Sequence, residues 1–109
     1  MSAHRIGSFA SLAPSSASRF DAADSTGLVH KVCVERIVDD LYAIGDTCSH
    51  ADVSLAEGTV WDDECEIECW KHGSLFSLRT GEPSTFPATQ PVPVYCVWCE
   101  GDDVMVELP

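Results

Sequence analysis

Two short mixed pairs constrain this chain more than anything else in it: Cys48-Ser49-His50 and, after 18 intervening residues, Cys69-Trp70-Lys71-His72. Each pair offers one thiolate and one imidazole. Four such donors suit a tetrahedral metal, and zinc accepts two Cys with two His. Zinc fingers, however, keep like ligands together as C-x2-4-C followed by H-x3-5-H, whereas each pair here mixes one of each. The alternative is an iron–sulfur core. Iron held partly by neutral imidazoles carries less negative charge than iron held by thiolates alone, so such a core is easier to reduce.

A chain of 109 residues makes one domain, 1–109, with a modest core and no room for a second. Six cysteines would suggest a disulfide framework in a secreted protein. Met1 to Phe9, however, lacks a long apolar run with a signal-type cleavage site, and no stretch approaches the roughly 20 apolar residues that span a bilayer. The expectation is a soluble, cytoplasmic protein with no membrane contact, where thiols stay reduced. The net charge of −12 has acids clustered at Asp62, Asp63, Glu64, Glu66 and Glu68, and again at Glu100, Asp102 and Asp103. That charge disfavours nucleic acid as a partner and suits steering toward basic docking patches. It also simply keeps a small protein dispersed.

Residues 10–27 are rich in Ala and Ser and read as loop, with a short strand near Arg19 to Ala22. From Leu28 the pattern turns β-branched: Val29 to Val34, then Ile37 and Val38, a turn at Asp39-Asp40, and Leu41 to Ile44 ending at Gly45. This hairpin leads into the first pair. Between the pairs, Gly58 to Trp61 and Glu64 to Glu68 flank Asp62-Asp63 as a smaller hairpin. Period-two alternation sets Cys65 and Ile67 on one face and Glu64, Glu66 and Glu68 on the other, turned to water. Gly81, Pro83 and Pro87 break regular structure. A third hairpin pairs Val92 through Glu100 with Val104 to Leu108 across Gly101-Asp102-Asp103. No sustained helical period appears, so the fold class is all-β: an antiparallel sandwich or partly closed barrel.

The C-x-H … C-x-x-H pattern, Gly73-Ser74 directly after it, and the run Leu75-Phe76-Ser77-Leu78-Arg79-Thr80-Gly81-Glu82-Pro83 resemble the Rieske iron–sulfur family over residues 28–108. The resemblance implies one [2Fe–2S] cluster per chain, with Cys48 and Cys69 as inner ligands of one iron and His50 and His72 as surface ligands of the other. It implies that the Ser74 hydroxyl reaches a bridging sulfide. Trp70, between ligands, either shields the cluster from solvent or simply packs. A base of about 1–45 and 87–109 would carry a loop-rich cluster lobe of about 46–86.

High-potential, quinol-oxidising relatives carry a tyrosine where this chain has Phe76, and a loop-clamping disulfide at the positions of Val53 and Lys71. Those departures direct the resemblance elsewhere. Thr47 to Leu55 and Pro87 to Tyr95 look like the small soluble Rieske ferredoxins of bacterial non-haem iron oxygenase systems, although Ser77 replaces a common Asp. The implied function is a non-enzymatic one-electron carrier with two partners, a flavin-dependent reductase and a terminal non-haem iron oxygenase. Alternatives are a ferredoxin serving iron–sulfur assembly or another redox pathway, and a non-catalytic module similar to the nitrite reductase small subunit. Cys33, Cys65, Cys96 and Cys99 read as buried small hydrophobes, with a metal or redox pair as the alternative. His4 and His30 read as solvent-exposed or strand-surface residues.

Overall fold

A computed structural model describes residues 2–109, which contain ten strands and two short 3-10 turns but no α-helix. In chain order the strands are β1 (Ser2–Ser8), β2 (Ser16–Ala23), β3 (Val29–Ile37), β4 (Asp40–Gly45), β5 (Thr59–Trp61), β6 (Glu66–Glu68), β7 (Leu75–Ser77), β8 (Val94–Tyr95), β9 (Val97–Glu100) and β10 (Asp103–Leu108). They form three antiparallel sheets ordered β1-β10-β9, β2-β3-β4-β8 and β5-β6-β7. Because β8 runs into β9 across the single residue Cys96, the first two sheets wrap one core as a partly closed barrel.

β3 explains the layering. Its run Val32-Cys33-Val34-Glu35 is buried throughout, which one-sided burial would not allow in a strand of period two. Val32 and Val34 join Ala43, Val104, Val106 and Leu108 in the barrel interior. Cys33, on the opposite face, joins Ile44, Leu55, Ile67, Phe76 and Leu78 in a second core, which also holds Cys48 and Cys69. The metal-ligand candidates are thus anchored in the layer between the central sheet and the small β5-β6-β7 sheet.

Several local expectations need correction. β2 runs from Ser16 to Ala23 rather than Arg19 to Ala22, and β1 and β7 were not legible. β1 is a polar edge strand recruited by its pairing with β10, and β7 has only three residues, too few to display a period. The β3–β4 turn lies at Val38-Asp39, one residue early, since Ile37 pairs with Asp40. Val38 takes a left-handed φ of 56°, unusual for a β-branched residue. A two-residue hairpin loop whose twist matches its strands requires such angles, and the Arg36 guanidinium donates to the Val38 carbonyl. Cys65 is not in a strand; it closes the Asp62–Cys65 turn at φ 55°. Its thiol is buried beside Ile67 all the same. Glu66 and Glu68 are half-buried rather than free in water: Ser84 Oγ donates to Glu66 and Trp61 Nε1 donates to Glu68.

Candidate metal centre

Two loops of similar construction carry the four donors. The first follows β4. Asp46 is buried; its N–H donates to the Lys31 carbonyl, its carbonyl accepts from Leu55, and its carboxylate accepts from the Ala56 N–H at 3.0 Å. Inside that frame Cys48 N–H donates to the Val53 carbonyl at 3.0 Å, so the loop closes on itself and Ser49 to Asp52 form its tip. The second loop follows β6. Cys69 N–H donates to the Ser74 carbonyl at 2.8 Å and Gly73 N–H returns to the Cys69 carbonyl at 2.9 Å. Gly73 makes that turn at φ 78°, a region costly for residues with a Cβ.

The consequence is the same in both loops. The cysteine sits at the closed, inner end: Cys48 is 4% and Cys69 1% exposed. The histidine sits at the open tip, where His50 and His72 face solvent. Their rings stand 5.0 Å apart between centroids at 74°, and the Cys48 and Cys69 thiols face each other within hydrogen-bonding reach. Burial pushes the Cys48 thiol up from its ordinary range. The backbone N–H groups of His50 and Ala51, aimed at its sulfur, pull it back, and the Cys69 thiol opposes them. Those two N–H donors favour the thiolate, the form that binds metal.

Two thiols on one side and two imidazoles on the other fit a two-iron core in which each iron takes two protein donors. Ser74 is buried against this set, and its hydroxyl oxygen accepts the Ala88 N–H at 3.0 Å, which leaves its own proton to donate. Trp70 is 54% exposed and belongs to neither core, which removes the packing role.

Sequence reading passed over Asp46 and Glu35. The only signal for Glu35 was an acid inside the apolar run of β3. It is fully buried; the Cys33 thiol donates to one of its oxygens at 3.0 Å, and the other has no partner. Cys33 and Cys65 are buried as expected, but Cys96 and Cys99 are exposed, because Cys96 occupies the break between β8 and β9 and Cys99 lies on the edge strand β9. His30 is half-buried rather than free at the surface, held by Asp24 at 2.8 Å and by the Tyr95 hydroxyl at 3.3 Å. His4 is also half-buried and pairs with the Ser2 hydroxyl at 2.8 Å.

The chain is similar to the 3-phenylpropionate/cinnamic acid dioxygenase ferredoxin subunits of Shigella boydii serotype 4 (strain Sb227) and Escherichia coli (strain K12). Each is 41% identical over 70 residues, 64% of this chain and 65% of the relative's length; the match thus spans slightly under two thirds of those relatives. Among solved structures, the ferredoxin of carbazole 1,9a-dioxygenase from Nocardioides aromaticivorans IC177 superimposes with a TM-score of 0.86 at 34% identity over 97% of both chains. A ferredoxin in complex with the oxygenase of carbazole 1,9a-dioxygenase gives 0.81 at 33% identity over 95% of this chain and 91% of that one. The family pattern described as the Rieske [2Fe-2S] domain matches residues 7–96, a span that includes both loops, the sheets β2-β3-β4-β8 and β5-β6-β7 and the buried-thiol, exposed-imidazole arrangement, and this chain belongs to that family.

Proposed function

We propose that this protein is the ferredoxin component of a non-haem iron oxygenase system, a one-electron carrier and not itself an enzyme. The observation that carries the reading is the pair of solvent-facing imidazoles, His50 and His72, backed by two buried thiols. In this reading Cys48, Cys69, His50 and His72 hold a [2Fe–2S] cluster, which when bound supplies a single-electron couple. The chain's own residues do the rest. The two closed loops keep the thiols out of water, the imidazoles bring the donor set to the surface where a partner can approach, and Ser74 offers a hydroxyl proton to the same set. The relatives named as dioxygenase ferredoxin subunits, and the ferredoxin structure solved with its oxygenase, support a terminal oxygenase as electron acceptor. A flavin-dependent reductase is the donor we assign, and a cytoplasmic location fits the six free thiols. No helix among the described residues is long and apolar enough to cross a membrane. We further assign one domain, with a barrel base at about 1–45 and 87–109 and a cluster lobe at about 46–86.

The test is a reconstituted chain of flavin reductase, this protein and a terminal oxygenase. Product formation should require this protein, and its dithionite-reduced form should show the low average g value of a Rieske centre in electron paramagnetic resonance. A zinc protein without acid-labile sulfide would overturn the reading.

Two further results are expected. The midpoint potential should lie low in the Rieske range, near roughly −150 mV, because Phe76 is fully buried in the core that holds Cys48 and Cys69 and has no hydroxyl to donate. Phe76→Tyr should raise the potential and Ser74→Ala should lower it, since donors to sulfur stabilise the more negative, reduced state; voltammetry placing the wild type at clearly positive values contradicts this. Reduction by the reductase should slow at least about tenfold as salt rises from about 0.01 M to about 1 M, over which the screening length falls from about 30 Å to about 3 Å. The acidic β5–β6 turn and the net charge of −12 are the source of the attraction, and a rate indifferent to salt would remove that role from them.

A further inference from the structure

We infer that Glu35, on the inner face of β3, is a proton-binding site for the electron-transfer step: its carboxylate takes up one proton when the protein is reduced and releases it on oxidation. The inference rests on the ligand assignment above but on no partner. Glu35 is fully buried. One carboxyl oxygen accepts from the Cys33 thiol at 3.0 Å, and the other, Oε1, has no partner. A buried acceptor left unpaired costs stability, and acids held in such surroundings gather at functional sites. The position suits the role. Period two sets Glu35 on the same face of β3 as Cys33, and Cys33 packs in the core that also holds Cys48 and Cys69. Reduction adds one negative charge beside those two thiols, and in a layer closed to solvent that charge is poorly screened from a carboxyl of the same layer.

The groups around Glu35 leave it free to titrate. On β2, Ala17 stands opposite Glu35 and Arg19 opposite Cys33. The Arg19 guanidinium is engaged by Asp21, by Asp46 and by Glu57 of the 3-10 turn Leu55–Glu57. On β4, Tyr42 stands opposite Glu35, and its hydroxyl turns to the Cys65 thiol beside Arg79. No cation pairs with Glu35 among the described residues; burial pushes its carboxyl up, the Cys33 thiol pulls it back, and the Asp46 charge adds to the rise. A route to solvent is present as well. The Cys33 thiol is within hydrogen-bonding reach of both Glu35 and Asp46, so it can pass a proton between them, and Asp46 Oδ2 lies 3.8 Å from Nε of the exposed Arg19. The step balances as one electron from the reductant and one proton from water, which binds a carboxylate oxygen of Glu35; no other bond forms or breaks. The added negative charge raises the proton affinity of Glu35 further. Between its oxidised-state and reduced-state pKa values each reduction therefore takes up a proton, and the midpoint potential falls as pH rises. Below that window both states hold the proton and above it neither does, so the potential is flat on either side.

The test is voltammetry of the holoprotein from about pH 5 to about pH 10, comparing wild type with Glu35→Gln, Cys33→Ala and Cys33→Ser. The wild type should show a sloping region bounded by flat ones, and Glu35→Gln should lose it. Cys33→Ala, which removes the donor that favours the carboxylate, should move the region up by about one pH unit, the worth of a hydrogen bond to a charged group, and the hydroxyl of Cys33→Ser should return it toward wild type. Reduced-minus-oxidised infrared spectra inside the region should show a protonated-carboxyl band gained on reduction in wild type and absent in Glu35→Gln, a signature that a merely structural acid does not give. A wild-type potential that is flat throughout would overturn the inference, as would a slope unchanged in Glu35→Gln, which would place the proton on the imidazoles. Either result in protein that shows a Rieske signal strikes this inference alone; a wild type without that signal overturns the ligand assignment and the inference with it.

Discussion

Cys48→Ala and Cys69→Ala will each purify without iron or acid-labile sulfide, whereas His72→Cys will retain iron with an altered spectrum. The two thiols are the inner, buried donors, 4% and 1% exposed, and removing either leaves one iron with a single protein ligand in a site closed to replacement by water. Each histidine, in contrast, sits exposed on an open loop tip, where, as the outer ligand we propose, it can be replaced by a cysteine in position though not in charge. Because metal binding energy is also folding energy, the two alanine variants should unfold at a lower temperature than the wild type. Iron and sulfide analysis with visible and paramagnetic spectra decides the matter. Stoichiometric iron in Cys69→Ala, or an unchanged spectrum in His72→Cys, would remove those residues from the ligand set.

The second large effect concerns Glu35. Burial pushes its carboxyl well above the ordinary 4.5; the Cys33 thiol offsets this in part, and the charge of Asp46 adds to it. Glu35 therefore holds its proton to higher pH in the folded chain than in the unfolded one, and the sign of its contribution follows. Below about 4.5 the folded and unfolded chains both hold the proton, and the stabilisation is complete. As pH rises further the unfolded chain gives its proton up while the folded chain keeps it, so stability falls, at a slope of up to about 1.4 kcal/mol per pH unit for one proton. Cys33, also pushed up by burial, extends the loss into alkaline pH. On the acid side Asp24 acts oppositely: the Thr26 and His30 side chains, with backbone donors, hold its carboxyl below the usual range, and its contribution fades as pH falls. Denaturant titrations from about pH 5 to about pH 9 should show Glu35→Gln nearly flat where the wild type declines. Parallel curves for the two proteins would mean that Glu35 is ionised in the fold.

The candidate donor set could be picked out in the sequence because residue type and spacing are local properties: a cysteine and a histidine two or three residues apart lie on one loop whatever the rest of the chain does. The all-β class was legible for a similar reason, since the β-branched runs of β3, β4 and β10 carry their own period. Turn positions were less so. Val38 reads as strand by its side chain, and only the pairing of Ile37 with Asp40 places it in the turn.

What the sequence by itself determined is which atoms are available and which residues share a face of a strand: Cys48, His50, Cys69 and His72 as a two-thiol, two-imidazole set, Ser74 beside them, and the alternation along β3. Only the tertiary structure decided what covers each face. Period two puts Cys33 and Glu35 together, but that their face is sealed follows from a second core packed against it, and that sealing is what pushes the Glu35 carboxyl up. The same holds for Cys96 and Cys99, left exposed because nothing packs over the β8–β9 break and edge, and for Trp70, turned outward by the loop that buries Cys69. The bond from Ser49 to Gln90 spans 41 residues of chain, and no local pattern encodes it.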